Sequence, residues 1–150
     1  MNLTEEPEIV NWPETHFVFV ERVGPFMKNA PAAWDEVHRL KPLLMEHNQI
    51  TGAMSLYRMS PDTYRAGFSL TKEPVKLPEG LAYERFEGGK YGKFVLTGPY
   101  TEIGPATRRV WEIASRSGTM IRPAFAIENY PNDPKVTPEE KLITEILIPV

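Results

Sequence analysis

Cysteine is absent from the 150-residue sequence. That excludes disulfides, thiolate nucleophiles, cysteine-ligated zinc and iron–sulfur clusters, and it suits a cytoplasmic setting. Long apolar runs are missing too: no stretch approaches the ~20 residues of a membrane span. The opening Met1-Asn2-Leu3-Thr4-Glu5-Glu6 is acidic and carries no apolar signal-peptide core. Positive charge is in short supply, with 17 Lys and Arg against 20 Asp and Glu for a formal charge of −3. A broad basic face for direct nucleic-acid binding is therefore not expected. The three histidines, His16, His38 and His47, fall at no metal-ligand spacing, so neither a metal nor another cofactor is expected. Nucleophile-elbow, Walker A and G-x-G-x-x-G signatures are lacking. Gly88-Gly89-Lys90-Tyr91-Gly92 is glycine-rich but precedes a strand pattern, which makes it a hairpin signal rather than a phosphate cradle.

Proline, by contrast, is abundant. Fifteen of them cut the chain into short elements and disfavour a long helical bundle. Residues 17–32 (FVFVERVGPFMKNAPA) and 91–106 (YGKFVLTGPYTEIGPA) repeat each other. At one constant shift they share Gly24/Gly98, Pro25/Pro99, Pro31/Pro105 and Ala32/Ala106, and they pair Phe17 with Tyr91, Val20 with Phe94 and Phe26 with Tyr100. Both begin as β-branched and aromatic strand runs that a Gly-Pro turn ends. Pro31 and Pro105 then stand where a helix is expected to begin, since the first helical position loses nothing by lacking an N–H. Ala33, Val37, Leu40 and Leu44 form the apolar stripe of the first helix, which Pro42 should kink or end. Ala106, Val110, Ile113 and Ala114 form that of the second, with Arg108, Arg109 and Arg116 on a solvated face.

Each helix is followed by two predicted strands: Ala53–Met59 and Tyr64–Leu70 around Ser60-Pro61-Asp62, then Ala124–Tyr130 and Ile143–Pro149. The longer second connection holds Thr137-Pro138-Glu139-Glu140, a capping pattern for one helical turn. Before each helix-preceding strand stands another. Glu8–Trp12 is expected to pair with Phe17–Val23, and Leu81–Glu87 with Lys90–Thr97 through Gly88-Gly89. The expectation is a single α+β domain over residues 1–150. It consists of duplicated β-α-β-β units (about 8–70 and 81–150, linker 71–80) forming antiparallel sheet, with two main helices and a ligand cleft between the halves.

Glu128 stands out in the strand Ala124-Phe125-Ala126-Ile127-Glu128-Asn129-Tyr130. Alternation puts Phe125 and Ile127 on one face, and Ala126, Glu128 and Tyr130 on the other. In the first half Met54 and Leu56 share one face, Ser55 and Tyr57 the other. With helices on the Phe125/Ile127 face, Glu128 and Tyr57 would look out from the opposite face at matching positions. A carboxylate among aromatic rings suits an apolar cation, which gains Coulomb attraction and cation–π contacts. On pattern alone, a glutamate pointing into water is the ordinary alternative.

The runs Tyr64-Arg65-Ala66-Gly67-Phe68, Tyr83 to Tyr91, Gly98-Pro99-Tyr100, Ile127 to Pro134 and Thr144 to Pro149 resemble the GyrI-like small-molecule-binding family, the effector domain of AraC- and MerR-type multidrug-responsive regulators. The similarity runs from about Glu8 to Val150. It implies a duplicated β-α-β-β fold and a glutamate, here Glu128, as counter-charge in an aromatic-lined pocket, with Tyr57, Phe68 and Tyr91 as further ligand contacts. Regulator relatives carry a helix-turn-helix domain that is not part of this sequence, and the resemblance identifies no protein partner. The expected function is capture of amphipathic, cationic small molecules for sequestration or sensing. The alternatives the resemblance raises are hydrolysis of strained-ring genotoxins, with Glu128 activating water and a tyrosine such as Tyr57 donating a proton, and inhibition of gyrase by direct contact.

Overall fold

The computed structural model describes residues 1–150. In chain order the elements are β1 (Asn2–Leu3), β2 (Glu8–Trp12), β3 (Thr15–Val23), α1 (Phe26–Met45), β4 (Ile50–Arg58), β5 (Thr63–Leu70), β6 (Ala82–Phe86), β7 (Gly89–Thr97), α2 (Ile103–Arg116), β8 (Ala126–Asn129) and β9 (Ile143–Pro149). Short 3-10 turns occupy Tyr100–Glu102 and Glu139–Lys141, the latter where the capping pattern predicts one. The fold is α+β, built twice as β-α-β-β: β3-α1-β4-β5 and β7-α2-β8-β9. Neither helix is long and apolar enough to cross a membrane.

The chain forms two compact units. In Pro13–Gly88 the antiparallel order is β4-β5-β3-β6. In the unit made of Met1–Trp12 and Gly89–Val150, β8 pairs with β9 and β9 with β7, and β1 and β2 share the far edge of β7. Both expected hairpins are therefore replaced. β2 pairs with β7, not with β3, and β6 pairs with β3, not with β7. Gly88 and Gly89 do adopt positive φ (74° and 122°), yet the chain carries on between units instead of folding back. A local turn signal constrains only its own few residues; the side-chain match along the whole strand selects the partner.

Both helices start earlier than Pro31 and Pro105 suggest. In each repeat the turn after Gly-Pro is already helical: the N–H of Lys28 bonds the carbonyl of Pro25, and the N–H of Glu102 that of Pro99. Pro105 thus lies in the first turn of α2, where no hydrogen bond is lost, whereas Pro31 and Pro42 sit inside α1. α1 runs past Pro42 to Met45, held by burial of Leu40 and Leu44 on either side of it. The predicted stripe of Ala33, Val37, Leu40 and Leu44 is the buried face of α1. Ala106, Val110 and Ala114 are that of α2, packed on Phe94, Leu96, Ile146 and Ile148.

Candidate functional site

Glu128 lies on β8 opposite Ile146 of β9, which in turn stands opposite Phe94 of β7. Directly opposed residues share a face, and Phe94 and Ile146 are the residues on which α2 packs. Glu128 consequently points beneath α2, where only 8% of its surface reaches solvent. The same logic in the other unit groups Ser55, Ala66 and Val20 on one face and Tyr57, Tyr64 and Arg22 with them. That face is the one α1 covers: Trp34 Nε1 donates to the Tyr64 hydroxyl at 2.9 Å, and the Phe26 ring meets Tyr57 at 5.7 Å. The expected arrangement, with Glu128 and Tyr57 looking away from the helices, is thus reversed in each unit. Alternation correctly groups the residues, but both faces of these strands are apolar, Phe17, Met54, Leu56, Ile127 and Leu147 being buried as well. Pattern alone then leaves open which face the helix takes.

The register also changes which residues correspond. Val20 aligns with Phe94 in the repeat, so Ser55, two strands from Val20, is the counterpart of Glu128. Tyr57 corresponds to Tyr130, not to Glu128. The rings repeat accordingly: Phe26 meets Tyr57 at 5.7 Å, and its counterpart Tyr100 meets Tyr130 at 5.7 Å. One copy carries a neutral chain, Ser55 Oγ to the Tyr64 hydroxyl at 2.6 Å and on to Trp34. The other carries a carboxyl group.

Around Glu128 the donors are neutral. The Tyr130 hydroxyl donates to Oε1 at 3.0 Å, and the Thr107 hydroxyl, on the first turns of α2, reaches Oε2 at 3.5 Å. Neither lysine, arginine nor histidine forms an ion pair with it. Burial pushes its pKa up, and the hydrogen bonds from Tyr130 and Thr107 pull it down without cancelling that rise. Burial, and then the nearby Asp133 charge, also raise the pKa of Tyr100. A desolvated carboxyl without a counter-ion is costly for folding, and such groups concentrate at functional sites.

Thr144, on the same face of β9 two residues before Ile146, is fully buried and its hydroxyl has no partner. Replacing it by valine keeps the shape and removes an unsatisfied polar group. Thr144→Val is expected to stabilise the ligand-free protein by about 1 kcal/mol, read as a higher urea midpoint at unchanged slope.

The other residues singled out in the sequence are buried in their own surroundings. Phe68 lies under α1 against Trp34 at 6.2 Å and His38 at 6.0 Å, with the Lys41 ammonium 5.2 Å from its ring centre. Tyr91 is fully buried, its hydroxyl donates to the Phe125 carbonyl at 2.6 Å, and the Arg122 guanidinium lies 5.1 Å from its ring centre. Burial raises the Tyr91 pKa, with Arg122 acting against it. Sequence reasoning missed Thr107 as a partner of Glu128 and Tyr100 as the ring against Tyr130, and it placed Tyr130 on the right face without a role. The signal for Tyr100 and Tyr130 lay in the repeat itself, since Phe26 aligns with Tyr100.

The protein is thus a duplicated α+β module with a carboxyl group buried beneath a helix and hydrogen-bonded by a tyrosine. The chain belongs to the GyrI-like small molecule binding domain family, which it matches over residues 5–150. No curated protein matches it. Among solved structures, the EcmrR C-terminal domain superposes with a TM-score of 0.79 at 13% identity, covering 99% of this chain and 98% of that one. SAV2435 bound to tetraphenylphosphonium gives 0.74 at 16% identity, covering 97% and 93%. A hydrolase from Listeria innocua gives 0.58 at 14% identity, covering 97% and 92%. At these identities the likeness is one of fold.

Proposed function

We propose that this domain binds amphipathic organic cations, with the Glu128 carboxylate as counter-charge, and so sequesters or reports them. The observation that carries the reading is a buried carboxyl whose only partners are two neutral hydroxyls, Tyr130 and Thr107. A positive charge entering there removes the penalty of ionising Glu128, so the site rewards cations over neutral molecules of equal shape. The likeness in fold to SAV2435 supports the choice of probe, since tetraphenylphosphonium is a permanent cation wrapped in four phenyl rings. Isothermal titration of tetraphenylphosphonium and neutral triphenylphosphine oxide into wild type and Glu128→Gln tests it. Equal preference in the two proteins would remove Glu128 from the role.

The proposal includes Tyr57, Phe68 and Tyr91 as aromatic contacts, supported by the family resemblance. Tyr57→Ala is expected to weaken planar aromatic cations several-fold more than compact tetramethylammonium, because stacking and cation–π attraction scale with ring overlap. Competition titrations against tetraphenylphosphonium measure the difference. A hydrolytic reading has one observation in its favour, the 3.0 Å contact that pairs a phenol with the carboxyl. Incubation with strained-ring electrophiles, followed by mass spectrometry of products, decides between turnover and binding.

A further inference from the structure

We propose that the unit made of Met1–Trp12 and Gly89–Val150 carries a second ligand site, selective for amphipathic anions of the medium-chain carboxylate type. A cavity of about 340 Å³ opens between the C-terminal turn of α2 and the β2–β7 edge. That volume lies within the ~300–1,000 Å³ of small-ligand pockets. Its floor is apolar, made by Phe94, Ala114 and Ile148, and Glu128 is not among its walls. Gly92 keeps it open, since a Cβ there would come within 3.3 Å of Pro7 and 3.7 Å of Ile148. At the mouth, Ile9 is 56% and Met120 87% exposed, large apolar side chains for which the unit provides no cover.

Charge decides what kind of amphiphile fits. Lys90 leaves β7 on the same face as Gly92 and Phe94, toward the cavity, and its ammonium forms no ion pair. No aspartate or glutamate side chain lines the walls, and the backbone oxygen of Val150, which does line them, accepts from Arg122 Nε at 3.4 Å. Arg122 is not part of the lining: its guanidinium donates to the Lys90 carbonyl at 2.8 Å and stacks on Tyr91, on the other face of β7, so Lys90 is the cation that faces the cavity. The negative end of the α2 dipole is the opposing influence, and it is largely covered. The N–H groups of Ser117, Gly118 and Thr119 and the Ser117 hydroxyl bond the last carbonyls, and Arg116 stands in the final turn. The balance is an apolar slot with an uncommitted cation at its rim, complementary to a hydrocarbon tail with an anionic head. This selectivity is opposite in sign to that of the Glu128 site and independent of it.

The experiment is calorimetric titration of hexanoate, octanoate and decanoate, each below its critical micelle concentration, into the whole chain. Wild type, Lys90→Glu, Met120→Glu and Glu128→Gln are compared. Lys90 and Met120 are exposed, so their variants are expected to keep the wild-type melting temperature. We expect saturable 1:1 binding that tightens about fourfold per added methylene. Lys90→Glu and Met120→Glu should each weaken decanoate at least tenfold, and Glu128→Gln should leave it within twofold. The proposal is overturned by absent or non-saturable decanoate binding, by affinity indifferent to chain length, by unchanged affinity in Lys90→Glu, or by loss in Glu128→Gln.

Discussion

Replacing Glu128 by glutamine is expected to weaken tetraphenylphosphonium binding roughly ten- to a hundredfold and to leave triphenylphosphine oxide within twofold. A charge-assisted contact contributes about 1.5–3 kcal/mol, and each decade of affinity is about 1.4 kcal/mol. Glutamine preserves the shape: its amide oxygen accepts from one of the Tyr130 and Thr107 hydroxyls and its NH2 donates to the oxygen of the other, so the lost quantity is the charge. The same variant is expected to be more stable than wild type when empty, in a way that depends on pH. Burial holds the folded-state pKa of Glu128 above the unfolded value of about 4.3. Between those two values the folded protein binds more protons than the unfolded chain, so stability falls as pH rises through the window and stays lower above it. The cost at neutral pH is about 1.4 kcal/mol for each pH unit of displacement. Urea titrations should therefore show Glu128→Gln and wild type nearly equal near pH 4 and separated at pH 7.5, with the variant more stable. Cation affinity should follow the carboxylate, falling up to tenfold per unit as pH drops below the folded-state pKa.

Much of the scaffold was legible because its signals are local. The Gly-Pro-aromatic turn repeats, and the stripe from Ala33 to Leu44 is written at helical spacing. The strands Glu8–Trp12 and Ile143–Pro149 have the bounds their composition predicts. What failed was non-local. The Gly88-Gly89 signal describes how the chain can bend, whereas the partner of β6 is chosen by the match of Tyr83 and Glu84 against Val18 and Phe17 of β3. The face of Glu128 failed for a related reason: Ile127 on one side and Ala126 on the other are both buried, so hydrophobicity does not distinguish the sides. Matching Glu128 to Tyr57 failed by register. Ser55 is the counterpart of Glu128 and Tyr57 that of Tyr130, so the mismatch is two residues, a shift that keeps the face and that alternation does not detect. With the register corrected, the divergence of the halves is chemical, serine with tyrosine and tryptophan in one copy, glutamate with tyrosine and threonine in the other.

The largest loss of stability is expected from Gly67→Ala. Gly67 sits mid-strand in β5, opposite Phe19 on β3 and Met54 on β4. A Cβ there would stand 2.0 Å from the Val18 carbonyl oxygen, 2.8 Å from Phe19 Cα and 2.9 Å from Phe19 Cβ. Two of the three obstacles are backbone of a paired strand, so relief requires separating β3 from β5. Phe19 has little freedom to yield, being stacked on Phe17 at 5.2 Å with the Arg65 guanidinium 4.5 Å from its ring centre. A glycine in a strand interior often marks such a close approach. Overpacking ordinarily costs about 1–3 kcal/mol, occasionally more. With the backbone of two strands displaced, a cost above about 3 kcal/mol is expected, a large part of the ~5–15 kcal/mol that holds a domain folded. Gly52→Ala is the control: its nearest obstacle, at 2.9 Å, is the Ser69 hydroxyl, a terminal atom that can rotate away. Urea denaturation should leave Gly52→Ala within about 1 kcal/mol of wild type, while Gly67→Ala unfolds at far lower urea or accumulates as insoluble protein. Equal midpoints for Gly67→Ala and wild type would mean that β3 and β5 do not approach as closely as the Phe19–Gly67 pairing requires.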